Sequence, residues 1–240
     1  MSPKLSWSSS AKTHVGRVRK INEDCLLDMP AQGLWAVADG MGGLSAGDVA
    51  SQHLVAKLGQ FKTTNTLTNS INQIESLILE ANQDLKRMGE ELGKGKSMGT
   101  TVAALFTDGD HAIILWAGDS RIYRYRDGEL LRLSEDHSFV EELVRIGVLS
   151  PEQAENHPAS NIVSRAVGVE DKLLVDVEYF KAMPSDIYIL CSDGLFKELS
   201  EDNIKSQIIN DLPECCANLV AAAVTAGGGD NISVIAVKVE

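Results

Sequence analysis

The chain has little cysteine, and none of it is paired in sequence. Cys25, Cys191, Cys215 and Cys216 form no Cys-x-x-Cys motif, which excludes a disulfide framework and a cysteine zinc site and points to a reduced, cytoplasmic protein. The five histidines are scattered without zinc-ligand spacing. Positive charge is scarce: 22 Lys and Arg against 34 Asp and Glu leave a net charge of −12. That balance argues against a nucleic-acid or anionic-membrane surface. No apolar run approaches the roughly 20 residues of a membrane span, and Met1–Ser10 has no apolar signal region, so no membrane partner is expected. There is no low-complexity linker and no repeat of fixed period. A chain of 240 residues, 44% hydrophobic, is large enough to bury a full core.

What the chain does have is one local pattern four times over. Asp39 follows Leu34-Trp35-Ala36-Val37-Ala38 and precedes Gly40. Asp119 ends the run Ile113–Gly118 and precedes Ser120. Asp193 ends Ile187–Ser192 and precedes Gly194. Asp230 follows Gly227-Gly228-Gly229 and leads into Asn231 and the run Ile232–Val237. Each is an acid at the end of a strand-like run, beside a residue that permits a tight turn. One such Asp is ordinarily a turn residue. Four at buried strand ends would repel one another without a cation. The all-oxygen donor set suits Mg²⁺ or Mn²⁺.

Periodicity predicts strands at Asp24–Met29, Leu34–Asp39, Thr100–Thr107, His111–Ala117, Arg121–Arg126, Glu129–Leu133, Leu173–Phe180, Ile187–Cys191 and Ile232–Val239. Asp127-Gly128 is a two-residue hairpin signal. Helices are expected at Ala46–Phe61, along the stripe from Ile71 to Leu92, at Phe139–Ile146, from the capping box Ser150-Pro151-Glu152-Gln153, and at Asp202–Ile209 and Glu214–Thr225. Strands and helices come in blocks, which favours α+β with antiparallel sheets. The polar stretch 134–171 interrupts the strands like an inserted flap within a single domain, 1–240.

Other motifs fail on detail. Gly95-Lys96-Ser97 resembles the end of a P-loop, but Glu90 stands where the first glycine belongs. Gly40, Gly42 and Gly43 lack the Rossmann spacing. Beyond Cys191 there is Lys197 but no Arg for cysteine-phosphatase chemistry. No Asn-His-Asp motif follows Asp119, and no Gly-x-Ser-x-Gly elbow is present.

Read in order, several segments carry a resemblance. They are Val15-Gly16-Arg17-Val18-Arg19 with Asn22-Glu23-Asp24, Val37–Gly43, Gly99-Thr100-Thr101, Ala117–Arg121, Leu133–Ser138, Ser164–Gly168, Cys191–Leu195 and Gly229-Asp230-Asn231. Together the chain resembles the PP2C-type metal-dependent Ser/Thr protein phosphatases in their compact bacterial form, over about Val15 to Val239. The resemblance implies a four-layer α-β-β-α sandwich of two antiparallel sheets flanked by helices. It implies that Asp39 bridges two metals, that the Gly40 carbonyl binds the first, and that Asp193 and Asp230 complete the second. Asp119 with Asp193 matches a more labile third site. Arg19 matches the phosphate-binding arginine and Glu23 an acid around the second metal, with Asp24 and Asn231 in support. Some members carry a His as general acid after the Asp-Gly matching Asp39-Gly40; here the position is Met41, which has no proton to give.

The expected reaction is hydrolysis of phosphoserine and phosphothreonine by direct attack of a water or hydroxide bridging two Mn²⁺ or Mg²⁺ ions. The expected partners are phosphorylated Ser/Thr proteins, including a Hanks-type kinase or its substrates, and a forkhead-associated-domain protein if the short, tail-less chain serves type VI secretion. A monomer is expected. The competing readings are a non-catalytic phosphopeptide-binding module on the same fold and another two-metal hydrolase such as a nuclease.

Overall fold

Strand β3, Leu34–Met41, shows why the apolar runs are continuous rather than alternating. In the computed structural model, which describes residues 5–41, 46–91, 93, 98–155 and 157–240, both faces of this strand are covered. Leu34, Ala36 and Ala38 pack toward a helical layer, while Trp35 and Val37 pack toward a second sheet. A strand buried on both faces loses the polar half of its period. Gly95-Lys96-Ser97, Gly42-Gly43 and Leu92 lie outside the described residues.

Two antiparallel sheets result. The first runs β1 (Trp7–His14), β11 (Ile232–Val239), β10 (Ile187–Cys191), β7 (Arg121–Arg126), β8 (Glu129–Arg132). The second runs β2 (Asp24–Met29), β3, β5 (Val102–Asp108), β6 (His111–Ala117), β9 (Asp176–Lys181), with the short β4 (Gly99–Thr100) paired to β3 at Gly40 and Met41. Between the sheets lie Trp35, Leu105, Ile114, Trp116, Ile122, Tyr188, Leu190, Ile235 and Val237. Helices α1 (Ala46–Leu58) and α2 (Leu67–Glu91) cover the second sheet through Leu54, Leu58, Ile74, Ile78 and Leu85. Helices α6 (Glu201–Gln207) and α7 (Leu212–Ala226) cover the first through Ile204, Cys215, Cys216, Leu219 and Ala223. The layers are therefore α-β-β-α, as the resemblance implies.

Between β8 and β9 the chain carries two short helices, α3 (Phe139–Arg145) and α4 (Pro151–Glu155). The capping box forms as its sequence predicts: Gln153 N–H donates to Ser150 Oγ at 3.3 Å, and Ser150 N–H to Gln153 Oε1 at 2.8 Å. The hairpin at Asp127-Gly128 forms too, with φ of 51° and 84°.

Four elements differ from expectation. The strand expected over Thr100–Thr107 is split at Thr101 into β4 and β5. Trp7–His14 is a strand although its sequence is mostly polar, because it is an edge strand paired on one side to β11 and exposed over its second half. The strand expected from Leu173 begins at Asp176. The preceding segment is tied to α2 instead, with Asn82 Nδ2 donating to the Glu170 carbonyl at 3.0 Å and Lys86 paired to Asp171. A short helix, α5 (Asp193–Phe196), follows β10 directly.

The antiparallel order places the C-termini of β3, β6 and β10 and the N-termini of β2 and β11 at one end of the sandwich. At the other end Arg126 of the first sheet forks onto the buried Asp186 at 2.6 Å through both Nε and Nη2. The same guanidinium donates to the Lys181 carbonyl of the second sheet at 3.0 Å.

Candidate metal centre

Register brings the first two acids together. Asp24 at the start of β2 lies directly opposite Asp39 on β3. Like charges in that position destabilise a sheet. Across the seam, Ser192 Oγ of the first sheet donates to Asp24 Oδ2 at 2.8 Å and accepts from Ser233 N–H at 3.0 Å. Asp24 Oδ1 is buried without a protein partner.

The remaining acids belong to the same cluster, because each feels the charge of the others. Burial pushes the Asp39 carboxyl well above the usual range, and the charges of Asp24, Asp193, Asp119 and Asp230 push it further. Among the described residues no hydrogen bond reaches that carboxylate. Asp24 is pushed up to about 7 by burial, then by Asp193 and Asp230, against the hydrogen bonds of Ser233 and Ser192. Asp119 is likewise pushed up to about 7, first by burial and then by Asp193, while Lys197 pulls it down. The half-buried Glu23 carboxyl rises through burial against the pull of Arg19.

Among the described residues two cations are paired to these six carboxylates, Arg19 to Asp230 at 2.7 Å and Lys197 to Asp193. The set is thus oxygen-rich, part-buried and under-neutralised, and it contains an orphaned carboxylate oxygen. Those properties fit hard divalent cations. Among the described residues no three His, Cys, Asp or Glu side chains are drawn up to a common ligating point. Mutual repulsion and the two side-chain cations favour that spread.

The backbone around the cluster is shaped for close approach. A Cβ on Gly40 would lie 2.0 Å from the Gly47 carbonyl oxygen of α1 and 2.6 Å from that of Glu23. A Cβ on Gly194 would lie 2.0 Å from the Asn231 carbonyl oxygen. Contrary to the expectation of tight turns, Asp39-Gly40 lies within β3 and Asp193-Gly194 within helix α5 (Asp193–Phe196), and the two glycines are packing requirements.

Asn231 is not merely adjacent. Its Oδ1 accepts from Glu23 N–H at 2.8 Å, and its Nδ2 donates to the carbonyls of Val15 and Ile21 at 2.9 and 3.0 Å. It clamps the loop that carries Arg19 and Glu23. Arg121, part of the Asp119-Ser120-Arg121 motif, faces away from phosphate chemistry. It forks onto Asp136 at 3.0 and 2.7 Å and stacks 3.6 Å over the Phe196 ring, rooting the 134–171 stretch against α5. Another root is Val167, bonded both ways to Thr100 at 2.9 Å.

His137 is consumed by structure. Its Nδ1 accepts from Gly118 N–H at 3.1 Å, which leaves the proton on Nε2 facing Asp176 Oδ2 at 3.0 Å. Burial holds it below the usual imidazole range. The cysteines offer no nucleophile, because burial pushes the Cys191 and Cys216 thiols up to about 12. A cleft of about 390 Å³ beside the 134–171 stretch is lined by Asp136, His137, Arg145, Arg165 and Asp176, and none of the six clustered carboxylates lines it. Asn231 was expected only in a supporting place beside Asp230, without its clamping role, and Lys197 was not singled out; the available signal for Lys197 was its four-residue spacing from Asp193 on a helical turn.

The profile of the family described as Protein phosphatase 2C matches residues 17–222. The chain belongs to the protein phosphatase 2C family. Its relatives include the serine/threonine phosphatase stp of Listeria welshimeri, 37% identical over 238 residues that cover 95% of this chain and 94% of that protein. The serine/threonine protein phosphatase PstP of Mycobacterium tuberculosis is 33% identical over 96% of this chain but only 44% of its own length. Among solved structures of the PP2C fold, PppA, a key regulatory component of T6SS in Pseudomonas aeruginosa, matches with a TM-score of 0.91 at 36% identity over 98% of each chain. The catalytic domain of PstP in complex with two manganese ions matches with a TM-score of 0.88 at 31% identity, covering 98% of this chain and 99% of that one.

Proposed function

We propose that this metal-dependent PP2C-family protein serine/threonine phosphatase hydrolyses phosphoserine and phosphothreonine in one step at the carboxylate cluster, without a phosphoenzyme. The observation that carries the reading is the buried, under-neutralised set of acids contributed by both sheets beside Arg19. Asp39, the Gly40 carbonyl, Asp193 and Asp230 would hold two Mn²⁺ or Mg²⁺ ions, with Glu23 and Asp24 around them; the third position implied by the resemblance falls on Asp119 and Asp193. Bound there, such ions supply a water nucleophile near neutral pH and Lewis acidity toward the phosphoryl oxygens.

The chain's own residues do the rest. Arg19, half-exposed at the cluster's mouth and oriented by Asp230, grips phosphoryl oxygens through its planar fork. Asn231 fixes the loop behind it. With Met41 and His137 unable to donate, the leaving oxygen takes its proton from water. Residues 134–171, rooted through Asp136, His137 and Val167, shape substrate access within a single domain.

The substrates are phosphorylated Ser/Thr proteins, and we place a Hanks-type kinase or its targets among them. The likeness to PppA, a regulatory component of T6SS, supports a role in type VI secretion; a forkhead-associated-domain partner, a cytoplasmic location and a monomeric state are further parts of the proposal. Hydrolysis of an aryl phosphate and of a phosphothreonine peptide tests the mechanism. Asp39→Ala should lower both by orders of magnitude; near-normal turnover in that variant would sink it.

A further inference from the structure

Lys197 stands four residues after Asp193, where one helical turn brings a side chain back over its partner. Its backbone N–H donates to the Asp193 carbonyl at 2.9 Å, and its ammonium is hydrogen-bonded to the Asp193 carboxylate. The root of this lysine is fixed. Phe196, its neighbour, lies under the Arg121 guanidinium, and Gly194 is seated against Asn231. Asp193 follows β10 of the first sheet, while Asp119 follows β6 of the second. The lysine's charge acts on Asp193, Asp119 and Asp39. A positive charge in this position does what a cation shared by Asp119 and Asp193 would do: it offsets two carboxylates contributed by the two sheets.

We propose that Lys197 is a resident cation, whose ammonium takes the place of a third divalent ion at Asp119 and Asp193 and leaves the enzyme complete with two. The inference rests on the reading of the cluster as a two-ion centre. A lysine ammonium is charged near neutral pH, and this one is paired to the Asp193 carboxylate, so it serves as a fixed charge and not as a proton donor. An ammonium also has no open coordination position, so it stabilises charge without binding water for attack.

An incidental surface ion pair would leave ion binding unchanged. Stoichiometry separates the two. Mn²⁺ binding to the full chain is measured by equilibrium dialysis for the wild type, Lys197→Gln, Lys197→Met, and Lys197→Gln combined with Asp119→Asn. The wild type should bind two ions with no further saturable binding up to about 1 mM, the range of weak protein sites. Both single variants should gain a third saturable site, and Asp119→Asn should abolish it. A wild type that already binds three ions, or single variants that stay at two, overturns the inference while leaving the two-ion centre standing. A wild type that binds fewer than two ions overturns the centre, and the inference with it.

Discussion

Asn231 holds three backbone groups of the Val15–Glu23 loop with one buried amide. Truncating it leaves two carbonyls and one N–H without partners. At about 1 kcal/mol net per bond, Asn231→Ala should cost about 3 kcal/mol, lowering the melting midpoint by roughly 8 °C for a chain of this length. An unchanged midpoint in a thermal melt would refute the clamp. Asp24 and Asp119 allow a second test. Their folded-state values of about 7 lie above the usual carboxylate value of about 3.9. Between those values the folded chain holds more protons than the unfolded one, so stability falls as pH rises. Metal-free protein should therefore melt higher near pH 5 than near pH 7.5. Saturating Mn²⁺ should remove that trend, since a cation replaces the proton as the partner of these acids. Residue identity made the acids legible: an Asp closing an apolar run is visible in one line of sequence. Asn231 was not legible in this way, because its partners lie 208, 210 and 216 positions away.

At the level of elements, the doubly covered strands announced themselves. Ile187–Cys191 and Ile232–Val239 begin and end where their apolar runs do. Strand β1 did not, because Ser8, Ser9, Ser10, Lys12 and Thr13 belong to an edge whose stability comes from pairing to β11 and not from its own burial. Helix α5 escaped for a different reason: four residues are too few to show a period. Contacts between elements set the tolerance of the glycines. Gly40→Ala pushes a methyl into the α1 backbone and should abolish turnover and lower stability by several kcal/mol, in the range seen for overpacked cores, 1–3 kcal/mol or more. Gly109 turns between β5 and β6 at a φ of +62° with nothing within 4 Å. Gly109→Ala should cost about 1 kcal/mol of backbone strain and keep full activity. Equal losses in chemical denaturation for the two variants would argue against the Gly40–Gly47 contact as a determinant of the site.

For the molecule as a whole, the cluster draws on both sheets, and its acids repel one another in the absence of ions. Chelation with EDTA should abolish phosphatase activity, Mn²⁺ should restore it, and the chelated protein should melt at a lower temperature, because ions bind the folded state alone. Activity that survives thorough chelation would place the chemistry elsewhere. The two ends of the sandwich are fastened by different means. The far end is held by a covalently attached cation, Arg126 on Asp186 with the Lys181 carbonyl, which solution conditions near neutrality do not remove. The end that carries the carboxylate cluster would be fastened instead by dissolved ions that come and go. Amide hydrogen exchange should therefore slow on Mn²⁺ addition at Asp39–Gly40, Thr100–Thr101 and Asn231–Ile232, and stay unchanged at Arg126 and Ile187. That exchange pattern would mean that the ion-free sandwich opens from the side of the carboxylate cluster, like a hinged book whose spine lies at Arg126 and Asp186.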